Sequence, residues 1–329
     1  MKRGLLQEKT TKGVRCLTCA HLCNLPEKDF GVCGMRKNTG KNIEVFNYGE
    51  LEAINIDPIE KKPIYHFLPG TKSLSIASAG CSFKCKNCQN WKLSQRKNGV
   101  TKGQRINPKK IIDLALENDV KSIAYTYGEP IIFLEFALDV MKLAKRSGLK
   151  NIWISNGYFS KQSLGVVLPY LDAINIDLKG FSNIFYKNIC GGRLSPVLNS
   201  IKKLEAETHL EITTLLIPGI NDAEEELYEI SKFISSVNSN IPWHITRFSS
   251  KPTKEMKIPA TPREVIEIAY TIGKENGLNY IYPGNIISKR SNTYCPNCKN
   301  LIIKRNYYDI EVLDKNPCSN CNQKINLTN

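Results

Sequence analysis

Between about residue 71 and residue 285 the chain repeats one unit: a short, nearly all-apolar run, a polar segment, then an amphipathic stretch of helical period. The apolar runs are "SLSIAS", "SIAYTY", "NIWISNGY", "AINIDLKG", "HLEITTLLIPG" and "PWHITRF", and "NYIYPGN" is a candidate seventh. The stretches between them carry helix signals. "NPKKIIDLALEND" is amphipathic, a helix running from Pro130 stops at Gly148, and Val197, Ile201 and Leu204 share one face. Asp222 and Glu225 have capping-box spacing ahead of Leu227, Ile230 and Ile234, while Thr261 and Pro262 open a helix that ends at Gly277. Apolar strands joined through helices require a parallel sheet with both faces covered. A doubly wound sheet and a full or partial (β/α) barrel both satisfy this. Both place working residues at the carboxyl ends of strands.

The strand ends are where the polar residues stand. Cys81-x3-Cys85-x2-Cys88 follows the first run, Glu129 sits between Gly128 and Pro130 after the second, and Asn156 ends the third. Asp177 and Lys179 end the fourth, "IPGIND" the fifth, and His244 and Arg247 lie on the sixth. Any one of these reads as a loop polar group or a helix cap; a cluster at every carboxyl end is poorly explained by packing. Three thiolates rather than four is itself informative. A four-iron cluster held by three protein thiolates leaves one iron open, and an open coordination position separates catalytic from structural sites.

The CxxxCxxC spacing, followed by GEP, NG, DLK and a late strand-end His, resembles the radical S-adenosylmethionine (SAM) superfamily. That resemblance implies a partial (β/α)6 TIM-type barrel with a [4Fe–4S] cluster on Cys81, Cys85 and Cys88. It further implies that the open iron chelates SAM, that reduction cleaves the C5′–S bond, and that the resulting 5′-deoxyadenosyl radical abstracts a hydrogen. Gly128, Glu129 and Pro130 then correspond to the segment holding the methionine amino group. Asn156, Asp177, Lys179 and His244 resemble ribose- and carboxylate-contacting positions, and Ile217 and Pro218 adenine-packing ones. Asn87 stands where an aromatic residue is common, which leaves Phe83 or Trp91 to supply that surface. Across nearly the whole chain, "CLTCAHLC…GVCGMR", "DPIEKKPIYHFLPG", "CQNW" and "TYCPNC" resemble the AmmeMemoRadiSam-system enzymes, relatives of pyruvate formate-lyase activating enzyme. This implies association with Memo-like and Ammecr-domain proteins.

Twelve cysteines fall into three groups and one singleton, at spacings that read as metal sites rather than a disulfide framework. Cys295, Cys298, Cys318 and Cys321 form two CxxC knuckles, a structural zinc pattern on a tail (286–329) too short to fold without a staple. Cys16, Cys19, Cys23 and Cys33, in an N-terminal Cys-rich region (1–70), suit zinc or an auxiliary iron–sulfur cluster, with zinc preferred and His21 a bystander. Residues 71–285 are then the barrel. Cys190 reads as a small buried hydrophobe, and His66 and His209 as ordinary polar residues.

No apolar run reaches the 18 or more residues of a membrane span; the most apolar helix carries Glu135, Asp139 and Lys142. With no signal-peptide core at the N-terminus, the expectation is a soluble cytoplasmic protein. The net charge of +15 favours polyanions or an acidic partner such as a reducing ferredoxin or flavodoxin, although its even spread also suits a solvated lysine-rich surface. The leading reading is a radical SAM enzyme of unidentified substrate. A glycyl-radical-enzyme activase is the alternative, and RNA modification a third reading without an aromatic stacking motif behind it.

Overall fold

A computed structural model describes residues 1–249, 253 and 256–328. Seven parallel strands form its centre: β1 (Lys72–Ser78), β2 (Ser122–Tyr125), β3 (Lys150–Ser155), β4 (Ala173–Asp177), β5 (His209–Leu216), β6 (Trp243–Arg247) and β7 (Ile281–Gly284). Each pairs with its chain neighbours in sequence order, with no reversal. A doubly wound sheet needs a reversal at its switch point, so that alternative is excluded. The seventh apolar run is a strand.

Among the described residues, six α-helices of seven residues or more link these strands: α1 (Pro108–Glu117), α2 (Leu134–Arg146), α3 (Lys161–Val167), α4 (Leu194–Glu205), α5 (Glu224–Val237) and α6 (Arg263–Glu275). Asn107 caps α1 by accepting from the Lys110 N–H at 2.9 Å, with Pro108 in the first turn. A 3-10 turn, Pro130–Phe133, precedes α2, and Gly148 follows it at φ +76°. Two predicted starts differ. Asp222 accepts from the Gly219 N–H instead of capping α5, which begins after Ala223. Thr261 donates to the Leu216 carbonyl, and α6 opens after Pro262. In both places a loop hydrogen bond at the strand end takes the side chain that local spacing assigned to the helix.

The strand Glu50–Pro58 adds antiparallel to β1, so the main sheet crosses residue 70. Ahead of it, two small three-stranded sheets carry the first cysteine group. They are fastened to α2 by a buried bidentate pair, with Arg36 Nη1 and Nη2 on Glu135 at 3.0 and 2.5 Å. At the other end the tail packs Ile302, Ile303, Ile325 and Leu327 on Tyr280 and Tyr282 around β7. It is hydrogen-bonded to residues 66 and 68 through Thr328. No helix among the described residues is long and apolar enough to cross a membrane.

Candidate active site

The carboxyl ends of β1 to β4 converge on a cavity of about 300 Å³. After β1 the chain turns at Gly80, whose φ is +102° and where a Cβ would lie 2.7 Å from Met35 Cγ. The loop that follows hangs from the Cys190 turn, through Lys84 N–H to the Cys190 carbonyl (2.8 Å) and Lys86 N–H to the Ile189 carbonyl (3.0 Å). Each of its three sulfurs has a polar neighbour. Phe83 N–H and Asn156 Nδ2 approach Cys81 Sγ at 3.3 and 3.6 Å, Ser94 Oγ lies 3.2 Å from Cys88 Sγ, and the free thiol of Cys190 is hydrogen-bonded to that of Cys85. Burial raises the Cys81 and Cys88 thiols, while Cys190 and burial raise Cys85, so binding a metal here must release protons.

From β2, Gly128 passes under the loop so closely that a Cβ would sit 2.8 Å from the Ser78 carbonyl. Glu129 is buried and accepts from Ser155 Oγ (2.8 Å), Asn156 N–H (2.9 Å) and Ile131 N–H (3.3 Å). Burial, working against those hydrogen bonds, pushes its carboxyl up to about 7. Asn156 also donates to Ser82 Oγ at 3.0 Å, joining β3 to the cysteine loop. From β4, Lys179 Nζ meets Asp177 at 2.8 Å. Burial lowers that ammonium's pKa, but Asp177 and the thiols of Cys85 and Cys190 outweigh it and hold it well above its ordinary range.

The pattern of the Radical SAM superfamily matches residues 75–230, which contain this cavity's three cysteines and the segments of Glu129, Asn156 and Lys179. The uncharacterized protein MJ0808 of Methanocaldococcus jannaschii is 36% identical, over 99% of both chains. A putative glycyl-radical enzyme activating enzyme of the same organism, MJ1632, is 30% identical over 53% of this chain and 67% of its own. The chain belongs to the radical SAM superfamily. It is also related to pyruvate formate-lyase-activating enzymes, at 24% identity to that of Staphylococcus epidermidis over 52% of this chain and 72% of that one. Streptococcus suis SuiB bound to SAM has a similar fold, with a TM-score of 0.52 at 17% identity over 69% of this chain and 53% of that one.

Membership makes this protein an enzyme and brings a [4Fe–4S] cluster and SAM with it. The cavity at the strand ends fits them. Its three thiols come from one loop and no fourth cysteine lines it among the described residues. Asn87, on the lining, keeps a buried Oδ1 without a partner. Glu129 offers a carboxylate fixed by three donors. Phe83 lines the cavity, packed on Tyr158 at 4.9 Å, whereas Trp91, Ile217 and Pro218 do not line it; Leu215 does. Pro130 is buried behind the lining, at the start of the 3-10 turn.

His244 is placed elsewhere. It points at Glu211 (2.6 Å), a fully buried carboxylate that also takes His209 (3.0 Å) and the N–H groups of Tyr65 and His66. Burial raises the Glu211 carboxyl, but the two imidazoles outweigh it and hold it well below the usual range. His66 bonds Tyr282 OH at 2.5 Å and the Asn326 carbonyl at 2.6 Å. His66 and His209 are therefore parts of a constellation, contrary to expectation, because their partners lie up to 260 residues away. Lys62 was also missed. Buried on the lining, it shares Asp57 with Lys61 and Tyr127, at 2.6, 2.6 and 2.5 Å. The "DPIEKKP" run was its only sequence signal. Cys190 is buried as expected, yet it touches Cys85 rather than packing only among apolar side chains.

The tail's cysteines form the tightest ligand group. Cys295, Cys298, Cys318 and Cys321 offer sulfurs all within 4.8 Å of one another, and no other such group occurs among the described residues. Both knuckles have the same turn. Lys299 and Asn322 adopt φ +62° and +58°, and their N–H groups return to the Cys295 and Cys318 carbonyls. The N-terminal sulfurs do not form such a group among the described residues, and a Cβ on Gly31 would sit 3.8 Å from both Cys23 and Cys33 Sγ. His21 bonds the Ser82 carbonyl at 2.8 Å, so its ring faces the cysteine loop.

Proposed function

We propose that Cys81, Cys85 and Cys88 hold the cluster and that the chain reductively cleaves SAM to abstract a hydrogen from its substrate. The observation that carries this is the convergence of three thiols, Glu129, Asn156, Asp177 and Lys179 on one cavity from four successive strand ends. Bound there, the cluster supplies the electron and the open iron that radical chemistry needs. The chain's residues do the rest. Glu129, pre-oriented by Ser155 and Asn156, accepts the ammonium of the cofactor. Asp177 and Lys179 offer an acceptor and a cation for ribose and carboxylate. Donors around the three sulfurs tune the cluster and the buried walls exclude water. In this reading the sheet is the partial barrel of the superfamily, the tail's four thiolates hold structural zinc, and a ferredoxin or flavodoxin delivers the electron.

The test is spectroscopic. Reconstituted anaerobically and reduced, the chain should show a cluster signal in electron paramagnetic resonance that shifts on adding SAM. Glu129→Gln should keep the signal and require at least about tenfold more SAM for the shift. A SAM-insensitive signal in the wild type overturns the reading. The full-length likeness of motifs supports placement in the AmmeMemoRadiSam system, with Memo-like and Ammecr-domain partners. The relatives named as activating enzymes favour a second reading, a glycyl-radical-enzyme activase, which a glycyl radical formed on a candidate partner would establish.

A further inference from the structure

A second cavity, of about 410 Å³, lies beside the first and shares Lys61 and Pro63 with it. β6 contributes His244 and Arg247, α6 contributes Arg263, and the tail contributes Arg305 with the turn at Tyr307. Four cations, Lys61, Arg247, Arg263 and Arg305, therefore border one space; Lys61 is already paired with Asp57 at 2.6 Å, which leaves the three arginines to supply the charge. The only carboxylate among its described lining residues is Glu60. That carboxyl is buried with Oε2 unpartnered, and burial pushes it up, toward its neutral form.

Arg305 and Arg247 are held by neutral acceptors, and Arg263 is exposed. Arg305 is 6% exposed; it donates to the Ser291 and Tyr65 carbonyls and to Thr293 Oγ1, at 3.0, 2.7 and 2.7 Å, while its Nε has no partner. Its guanidinium stacks 4.4 Å from the Tyr65 ring centre. Arg247 Nε donates to the Thr261 carbonyl at 2.5 Å. A guanidinium fixed by carbonyls and rings keeps its charge, whereas one fixed by a carboxylate spends it. Glu211, behind His244, does not neutralise the cations: it is off the lining and engaged by the His209 and His244 imidazoles and two backbone N–H groups.

We propose that this cavity binds the oxyanion, phosphate or carboxylate, of a small-molecule substrate, anchoring it so that the remainder passes Lys61 and Pro63 toward the cysteine cavity. The anion site stands on its own geometry; only the fate of the anchored molecule rests on the function proposed above. The tail thereby supplies part of the substrate site as well as a metal staple.

Pyrophosphate and citrate, titrated separately by calorimetry into the full chain at about 0.15 M salt, test this and distinguish the two oxyanions. One of them is expected to bind at a single site and to lose about tenfold in affinity in Arg263→Gln and in Arg305→Lys. Lys109→Gln on the exposed face of α1 should change nothing. Thermal melts identify any variant that fails to fold, and Arg263, exposed at the start of α6, is the one expected to fold normally. Cys88→Ser should keep the isotherm, so loss of SAM cleavage and loss of anion binding are read separately. The proposal is overturned if neither anion binds up to about 10 mM, or if both arginine variants bind as the wild type does. It is also overturned if an RNA oligonucleotide occupies the site and neither small anion displaces it.

Discussion

In the tail, four sulfurs lie within 4.8 Å of one another on two turns of identical hydrogen-bond pattern; after β1, three sulfurs share one loop and line an open cavity. The spacing separates the two chemistries. Zinc–sulfur bonds of about 2.3 Å in a tetrahedron set sulfurs roughly 3.8 Å apart, close to the 3.5 and 3.7 Å of the pairs Cys295–Cys321 and Cys298–Cys318. A cluster in which each thiolate takes its own iron holds them wider, and the three loop sulfurs are not drawn into a close group like the tail's among the described residues. The surroundings differ in the same sense. The tail sulfurs have a small apolar core of their own, whereas the loop sulfurs face Glu129, Asn156 and Lys179. On the function proposed above, one region spends its cysteines on folding and the other keeps a position free for a ligand.

The largest expected effect is on the tail. Stripping its metal with a strong chelator should release one zinc per chain and cost several kcal/mol in denaturant unfolding, since binding there is folding free energy. A chain with no zinc and unchanged stability would break the comparison from that side. Next comes the joint that carries the N-terminal cysteines. Glu135→Ala strands the Arg36 guanidinium, which is 2% exposed, and is expected to cost about 3–5 kcal/mol in the same measurement.

A smaller effect should appear in pH. The Glu129 carboxyl titrates near 7 in the folded chain, above its ordinary value, so the folded state holds an extra proton between the two. Stability therefore falls as pH rises through that window. If Glu129 accepts SAM's ammonium as proposed, the carboxylate is required and SAM affinity should drop about tenfold per unit as pH falls below about 7. Equilibrium dialysis from pH 5.5 to 8 checks the slope, and Glu129→Gln should flatten it. Smallest of all, Gly128→Ala forces a Cβ to 2.8 Å from the Ser78 carbonyl and should cost about 1–3 kcal/mol by thermal melting.

Much of the site was legible because strand ends can be located from periodicity, and Glu129, Asn156, Asp177 and Lys179 follow apolar runs directly. The Glu211 constellation was not. A lone carboxylate in "HLEITTLL" reads the same whether it is paired or not, and its donors come from residues 65, 66, 209 and 244. Glu135 reads as a charge on an otherwise apolar helix, yet it is buried because Arg36, 99 residues earlier, meets it. His244 illustrates the limit of position alone: it lies on the sixth strand, but its ring turns to Glu211 and the second cavity. Periodicity locates a backbone segment; a pairing across a hundred residues depends on packing that no local pattern encodes.

The central claim is that the three-cysteine loop is the reactive region and the tail is not. It is tested by quantifying 5′-deoxyadenosine after anaerobic reconstitution, reduction and addition of SAM, in wild type, Cys88→Ser and Cys298→Ser. The account predicts cleavage by the wild type, none above background in Cys88→Ser, and retained cleavage in whatever fraction of Cys298→Ser folds. Cleavage that survives Cys88→Ser, or that folded Cys298→Ser loses, would contradict it.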